Sequence, residues 1–331
     1  MGSLSRKLPD RNLSLEFCRG TEAAAIAGGR MMGRGDKEAA DCAAVAAMRA
    51  MLNTVHIDGV VVIGEGNQEE TPMLFNGEHV GLGGDIQIDI AIDSIDGIRP
   101  TALGMGGAIS VVAGAPRGTM FNPKTVVYMN KIVVGPEAKD VIDIEAPVKE
   151  NIRRVAAAKG KATRDMTIVV LDRPRNDGII SEIRDIGARI KLLPDGDIAG
   201  ALLTCKKIRG ADMLMGIGGA AQAVITACAI KSMGGGMQSK PWFPDDEQRQ
   251  KAIGAGIDVN GILTINDLVD SNDVFFAATG VTDGDFLEGV RYEGRHAYTS
   301  SIVMRSKSGT IRYITAEHSQ RKLDMIAGID Y

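Results

Sequence analysis

Four acidic residues stand where β-branched or helical segments give way to glycine. The stretch VVIGEG carries Glu65 out of a run of valine and isoleucine, and IDIAIDSIDG delivers Asp93 and Asp96 together ahead of Gly97. Asp36 sits in the glycine-flanked loop GRGDK. Carboxylates gathered on short loops either trap a hard cation or repel one another. Oxygen-only donors suit Mg2+ or Mn2+, and the chain offers no His or Cys alternative near them. A single aspartate in such a place is better explained as a helix cap or turn former. The pair Asp93 and Asp96 beside Glu65 points instead to metal.

Basic residues supply a second half. LDRPR sets Arg173 and Arg175 just past another strand end, where guanidinium groups fork onto phosphate, and Pro174 stiffens the turn. PDGD places Asp195, Gly196 and Asp197 at the end of the next run, positioned to accept from sugar hydroxyls. GIGG ends a third run at Gly219, where bare backbone approaches a ligand ahead of a helix. Ligands of open α/β sheets bind beyond the carboxyl ends of strands, so three consecutive polar strand ends predict a sugar-phosphate pocket. Lys131, three residues after Tyr128, either reaches a phosphate or is a solvated or ion-paired lysine.

The elements that must position these residues follow from periodicity. Residues 13–33 (TEAAAIAGGRMMG at their centre) read as a helix ended by glycine, and 37–53 as a second, with Val45, Met48, Met51 and Leu52 at helical spacing. Runs at Val60–Ile63, Ile86–Ile92, Ala108–Val112 and Val126–Val134 form a strand-rich stretch. From about Thr167 strands and helices alternate as far as Gly235, which predicts a parallel sheet covered on both faces. The polar stretch 239–250 (SKPWFPDDEQRQ) reads as a surface excursion, with Trp242 suited to a surface or subunit contact. A strand at Val274–Ala277 and a hairpin turning at Lys307, Ser308 and Gly309 close the chain. The expected division is a metal-binding mixed α/β part over 13–165 and a parallel sugar-phosphate part over 166–235. A C-terminal segment, 236–331, is expected to complete the parallel part with the late hairpin.

With 331 residues, 44% apolar and 24% charged, the chain is of ordinary globular composition and long enough for one large or two modest domains. A net charge of −4 argues against nucleic acid or an anionic membrane as the main partner, so a phosphorylated substrate needs a local basic pocket. Cys18, Cys42, Cys205 and Cys228 are scattered without a CxxC pair and read as reduced thiols. His56, His79, His296 and His318 are equally scattered. The opening residues lack the apolar stretch of a signal peptide, and no run approaches the roughly 20 apolar residues of a membrane span. A soluble cytoplasmic protein is expected.

Taken in order, GRGDK, VVIGEG, the Asp93–Asp96–Gly97 turn, YMNK, LDRPR, PDGD, GIGG and MRSKSGT resemble the class II fructose-1,6-bisphosphatases. These are the GlpX-type branch of the lithium-sensitive phosphatase superfamily, and the resemblance runs from RNLSLEF to about Leu323. It implies an αβαβα layered sandwich, a mixed sheet plus a parallel-sheet part, assembled as a homodimer or homotetramer. It also implies removal of the 1-phosphate of fructose 1,6-bisphosphate, with Mg2+ or Mn2+, in gluconeogenesis. Carried over by motif, Asp36, Glu65, Asp93 and Asp96 match metal positions. Tyr128, Arg173, Pro174, Arg175, Asp195, Gly196, Asp197 and Gly219 match substrate contacts, and the backbone of Asp96, Gly97 and Ile98 would face the reacting phosphate.

This chain departs from the family pattern at the reaction centre. Where the family turn ends Gly-Thr, with a hydroxyl that helps position the attacking water, Ile98 can neither donate nor accept. Ala221 and Gln222 replace a Pro-Glu pair whose carboxylate binds metal. Two further acids of the family have become Asn67 and, lengthened, Glu69, which is the candidate to stand in as the missing base. Asn176 replaces a histidine, and Ser94 a proline. Loss of one positioned proton-transfer or water-orienting group costs roughly 10²- to 10⁴-fold in rate. The expectation is a metal-dependent sugar-phosphate phosphatase, weak or altered on fructose 1,6-bisphosphate, with Glu69, Ile98 and Gln222 at its catalytic centre. The alternatives are a repurposed isomerase, epimerase or lyase for a phosphorylated sugar, or a catalytically silent sugar-phosphate-binding homologue.

Overall fold

A computed structural model describes residues 11–66, 69, 73–206 and 210–319. Helices α1 (Ser14–Gly29) and α2 (Lys37–Leu52) come first, followed by strands β1 (Asp58–Ile63), β2 (His79–Val80) and β3 (Gln87–Asp96). The short α3 (Ile98–Ala102) leads into β4 (Ile109–Pro116) and β5 (Tyr128–Val134). Helices and strands then alternate: α4 (Val148–Ala158), β6 (Thr167–Leu171), α5 (Asp177–Asp185), β7 (Arg189–Leu193), α6 (Ile198–Leu202), β8 (Met213–Gly219) and α7 (Ala220–Met233). The chain closes through β9 (Gly236–Trp242), α8 (Asp246–Gly254), β10 (Leu263–Thr264) and α9 (Ile265–Leu268). Last come β11 (Phe275–Gly280), β12 (Arg291–Glu293), β13 (His296–Arg305) and β14 (Thr310–Ser319).

One sheet runs β12-β13-β11-β4-β3-β1-β2, with β14 along the other side of β13; the second runs β10-β9-β5-β8-β6-β7. Both are mixed. In the first, β1 lies parallel to β3 and antiparallel to β2, and β3 is antiparallel to β4. In the second, the predicted parallel sheet shrinks to β7, β6 and β8, because β8 pairs antiparallel along its length with β5. That strand was expected in the metal-binding part. Residues 236–242, the last four of them assigned to a surface excursion, form β9 against β5, with Met237, Ser239 and Pro241 turned inward. The polar residue types hid a period of two. The C-terminal segment divides likewise: β11 slots between β4 and β13 in the first sheet rather than completing the parallel part.

Alternation along the strands builds the layers. In β3, Ile88, Ile90 and Ile92 face the core under α1 and α2, while Ala91 faces the core between the sheets. In β6, Val169 faces that same central core, and Ile168 and Val170 face α4 and α5. Helix α7 lies in the centre and buries residues all round, which accounts for its alanines and for its lack of a polar face. Gly234 ends it at φ 74°, a left-handed cap glycine adopts without strain. The order is helices, sheet, helices, sheet, helices, the expected αβαβα sandwich. Among the described residues no helix is long and apolar enough to cross a membrane.

Candidate active site

The carboxyl ends of β1, β3, β6, β7 and β8 converge with the start of β5 around one cavity of about 590 Å3. The acids and the arginines both line it, on walls supplied by different sheets.

The acid wall is set by a break in β3. Its pairing with β4 shifts register between Asp93 and Asp96, and such irregularities re-aim side chains at strand ends. Gly97 follows at φ 102° and starts α3. Glu65 follows β1, and Asp41 projects from the first turns of α2. Ser94 ties these together: its N–H donates to Glu65 Oε1 at 2.9 Å and its hydroxyl to Asp41 Oδ1 at 3.1 Å. Gln222 Nε2 donates to Asp93 Oδ2 at 2.9 Å, and the Ile198 N–H to Asp96 Oδ2 at 2.9 Å.

Withdrawal from water raises the Asp93 carboxyl well above its ordinary range, and repulsion from Asp96 and Glu65 adds to the rise. Burial pushes Asp96 up to about 7, with the charge on Asp197 contributing next. Glu65 and Asp41 are raised for the same first reason, and Asp41 repels Glu65. Among the described residues no three His, Cys, Asp or Glu side chains converge closely enough to define an ion site. The donor chemistry nonetheless fits a hard divalent cation. Glu65, Asp93, Asp96 and Asp41 are oxygen donors whose mutual repulsion a cation would relieve.

The opposite wall carries the cations. Arg173 Nη2 donates to Asp195 Oδ1 at 2.7 Å, and its other terminal nitrogen donates to the Pro194 carbonyl. Arg175 lies over the Tyr128 ring at 4.5 Å and donates from Nε to the Ile217 carbonyl at 3.1 Å. Trp242 meets the same tyrosine edge to face, with ring centres 6.0 Å apart. These contacts fix both guanidinium groups at the rim. Asn176, buried behind them, donates to the Leu171 and Ile217 carbonyls and accepts from the Ile217 N–H, so it clamps β6 to β8.

Most residues expected at the site line the cavity: Glu65, Asp93, Asp96, Gly97, Ile98, Tyr128, Arg173, Arg175, Asp195, Gly196, Asp197, Gly219 and Gln222. Asp36 does not. It is exposed and caps α2, its carboxylate accepting from the Ala39 N–H at 2.9 Å, while Asp41, one turn further along the same helix, lines the cavity with Glu65, Asp93 and Asp96. Pro174 opens a turn of 3-10 helix behind the arginines and is not part of the wall. Glu69 is exposed and away from the lining, and Asn67 and Gln68 lie outside the described residues. Lys37, Glu38 and Asp41 were missed. Their spacing of three and four on one helix face was the available signal.

Five alternating layers with a cavity of acids and arginines at the strand ends define a layered α/β phosphatase. The profile described as bacterial fructose-1,6-bisphosphatase, glpX-encoded, matches residues 11–318, and the chain belongs to that family. Fructose-1,6-bisphosphatase 1 class 2 of Escherichia coli K12 is 43% identical over 321 residues, covering 93% of this chain and 95% of that protein. The class 2 enzymes of Escherichia coli O6:H1 and Shigella flexneri show the same identity and coverage.

Proposed function

We propose that this chain is a metal-dependent phosphatase of sugar phosphates, slow on fructose 1,6-bisphosphate itself. One observation carries the reading: a single cavity sets Asp41, Glu65, Asp93 and Asp96 opposite Arg173 and Arg175. The names of the relatives, fructose-1,6-bisphosphatases of class 2, supply the substrate class.

The four acids would hold Mg2+ or Mn2+, which polarises phosphoryl oxygens and readies a water for in-line attack. Arg173 and Arg175 pin the phosphate that is not transferred, as planar donors suited to it. Asp195 and Asp197 accept from sugar hydroxyls. The backbone of Gly97 and Ile98 faces the reacting phosphate. The side chain of Ile98 brings only carbon to the place where a water has to be oriented. Gln222 binds Asp93 but brings no charge.

Phosphate release from fructose 1,6-bisphosphate with Mg2+ or Mn2+ tests this. The expected rate is roughly 10²- to 10⁴-fold below that of an ordinary enzyme of this kind, with recovery in the double variant Ile98→Thr, Gln222→Glu. A normal rate in the parent chain overturns the slow reading. No release from any sugar phosphate, by parent or double variant, overturns the phosphatase.

A further inference from the structure

Beneath the sugar side of the cavity Asp197 is paired with a lysine to which the reading above gives no part. Lys131, in the middle of β5, is 1% exposed, and its Nζ donates to Asp197 Oδ2. The same nitrogen reaches the Gly219 carbonyl at 3.4 Å. Asp197 is 4% exposed, sits at the start of α6 and lines the cavity. Its second oxygen, Oδ1, is buried without a hydrogen-bond partner among the described residues.

The surroundings are built around this pair. A Cβ on Gly218 would fall 2.2 Å from Asp197 Oδ2 and 2.7 Å from Lys131 Nζ, so the strand beside β5 carries no side chain there. The neighbours of Lys131 along β5, Met129, Ile132 and Val133, are fully buried apolar residues. An apolar side chain of similar volume would pack at this position without the desolvation of two charges. A buried pair is therefore weak support for stability, and its geometry points to another use. One donor, Lys131 Nζ, fixes one oxygen of a carboxylate whose other oxygen has no partner among the described residues.

We propose that Lys131 is a positioning residue of the ligand site: it holds Asp197 so that Oδ1 is the acceptor offered to a hydroxyl of the bound sugar. The nature of that ligand rests on the sugar-phosphate reading; the hold of Lys131 on Asp197 does not.

The test uses Lys131→Met, Asp197→Asn and the double variant, with calorimetric titration of fructose 6-phosphate and of inorganic phosphate, and a ligand-free crystal structure of Lys131→Met. A hydrogen bond to a charged acceptor predicts that Lys131→Met weakens fructose 6-phosphate by roughly 10- to 100-fold. Inorganic phosphate, which has no such hydroxyl, changes by less than about threefold. The double variant is expected to bind no worse than Asp197→Asn alone, since Lys131 acts through Asp197. In the crystal the Asp197 carboxylate moves by more than about 0.5 Å, the tolerance of a working site. An Asp197 that keeps its place overturns the proposal whatever the ligand. So does a double variant in which the two losses multiply, or a loss shared equally by inorganic phosphate. A parent chain that binds no fructose phosphate overturns the sugar reading instead, while the crystal still decides the role of Lys131. Should Lys131→Met fail to fold, Gly218→Ala displaces the same pair with its charges intact and predicts the same selective loss.

Discussion

Ser94 donates twice into the acid wall, from its N–H to Glu65 and from its hydroxyl to Asp41. Gln222 donates once, to Asp93. These neutral donors partly compensate carboxylates that burial and mutual repulsion would otherwise keep protonated. A proline at 94 could make neither of the Ser94 bonds, so a position that reads in sequence as a loss is, in the fold, a gain of two donors. A hydrogen bond to a charged group contributes about 1.5–3 kcal/mol. Ser94→Ala is therefore expected to lower the stability of the metal-free chain by about that amount, seen as a shift in the urea midpoint. Saturating Mn2+ should shrink the loss, because a cation supplies the compensation the hydroxyl gave. A deficit unchanged by Mn2+ would show that Ser94 is not standing in for charge.

At the scale of elements, α1 packs on the first sheet through a polar seam. Thr21 bonds Thr279, which bonds Ser301, and Thr299 bonds His318 at 2.8 Å. Glu22 faces this seam, with His318 at 4.0 Å and with Cys18 and Arg19 beside it on the helix. Burial pushes Glu22 from an ordinary 4.5 up to about 7, against the hydrogen bonds from Cys18 and Thr299 and the charge of Arg19. A raised carboxyl favours the protonated folded state. Its contribution is complete below pH 4.5 and is lost as the pH climbs through about 7. Burial lowers His318, which works the other way, costing stability as the pH falls below its ordinary value. Glu22→Gln isolates the first effect. Between pH 5 and pH 8 the parent should lose about 2 kcal/mol more than the variant, measured by guanidinium unfolding at each pH. Equal losses would sink the assignment.

Elements of this kind were legible in the sequence to different degrees. The first two helices and those of the alternating stretch were clear, because alanine content and a spacing of three to four residues are local properties, whereas α4 and α8, built from charged and polar residues, were not read as helices. Most strands were clear as strands, β9 with its polar residues excepted, but pairing is a long-range choice that no local pattern encodes. Tyr128–Val134 thus carried no mark that it would cross to the second sheet, and Phe275–Gly280 none that it would enter the first. The site followed the same logic. Residues at strand ends were found, since a strand ending in a charge and a glycine advertises itself. Asp41 was not, because on a helix an acid reads as solvated surface until the fold turns that face inward.

At the scale of the whole molecule, the site exists only because two turns from different sheets touch. A Cβ on Gly196 would stand 2.8 Å from the Gly97 nitrogen and 2.9 Å from the Asp96 carbonyl carbon. Across the same joint the Ile198 N–H bonds Asp96 and the Arg99 N–H reaches Asp195 Oδ2 at 3.3 Å. Acids on one wall repel an incoming phosphate that the arginines on the other attract. A divalent cation reverses the first effect without touching the second, so cation and sugar phosphate should assist each other, and by equal factors. Fructose 1,6-bisphosphate is accordingly expected to bind at least about tenfold more tightly with Mg2+ present, a coupling of about 1.4 kcal/mol. With both at about one hundred times their dissociation constants, the bisphosphate alone stabilises by about 2.7 kcal/mol. Over 331 residues, at about 2.1 cal/mol/K of unfolding entropy each, that is a rise in melting temperature of about 4 °C. Calorimetric titration with and without Mg2+, and melting curves with each ligand and with both, measure the coupling. Equal affinity in the two titrations, with melting shifts that merely add, would mean that the two walls do not act on one ligand.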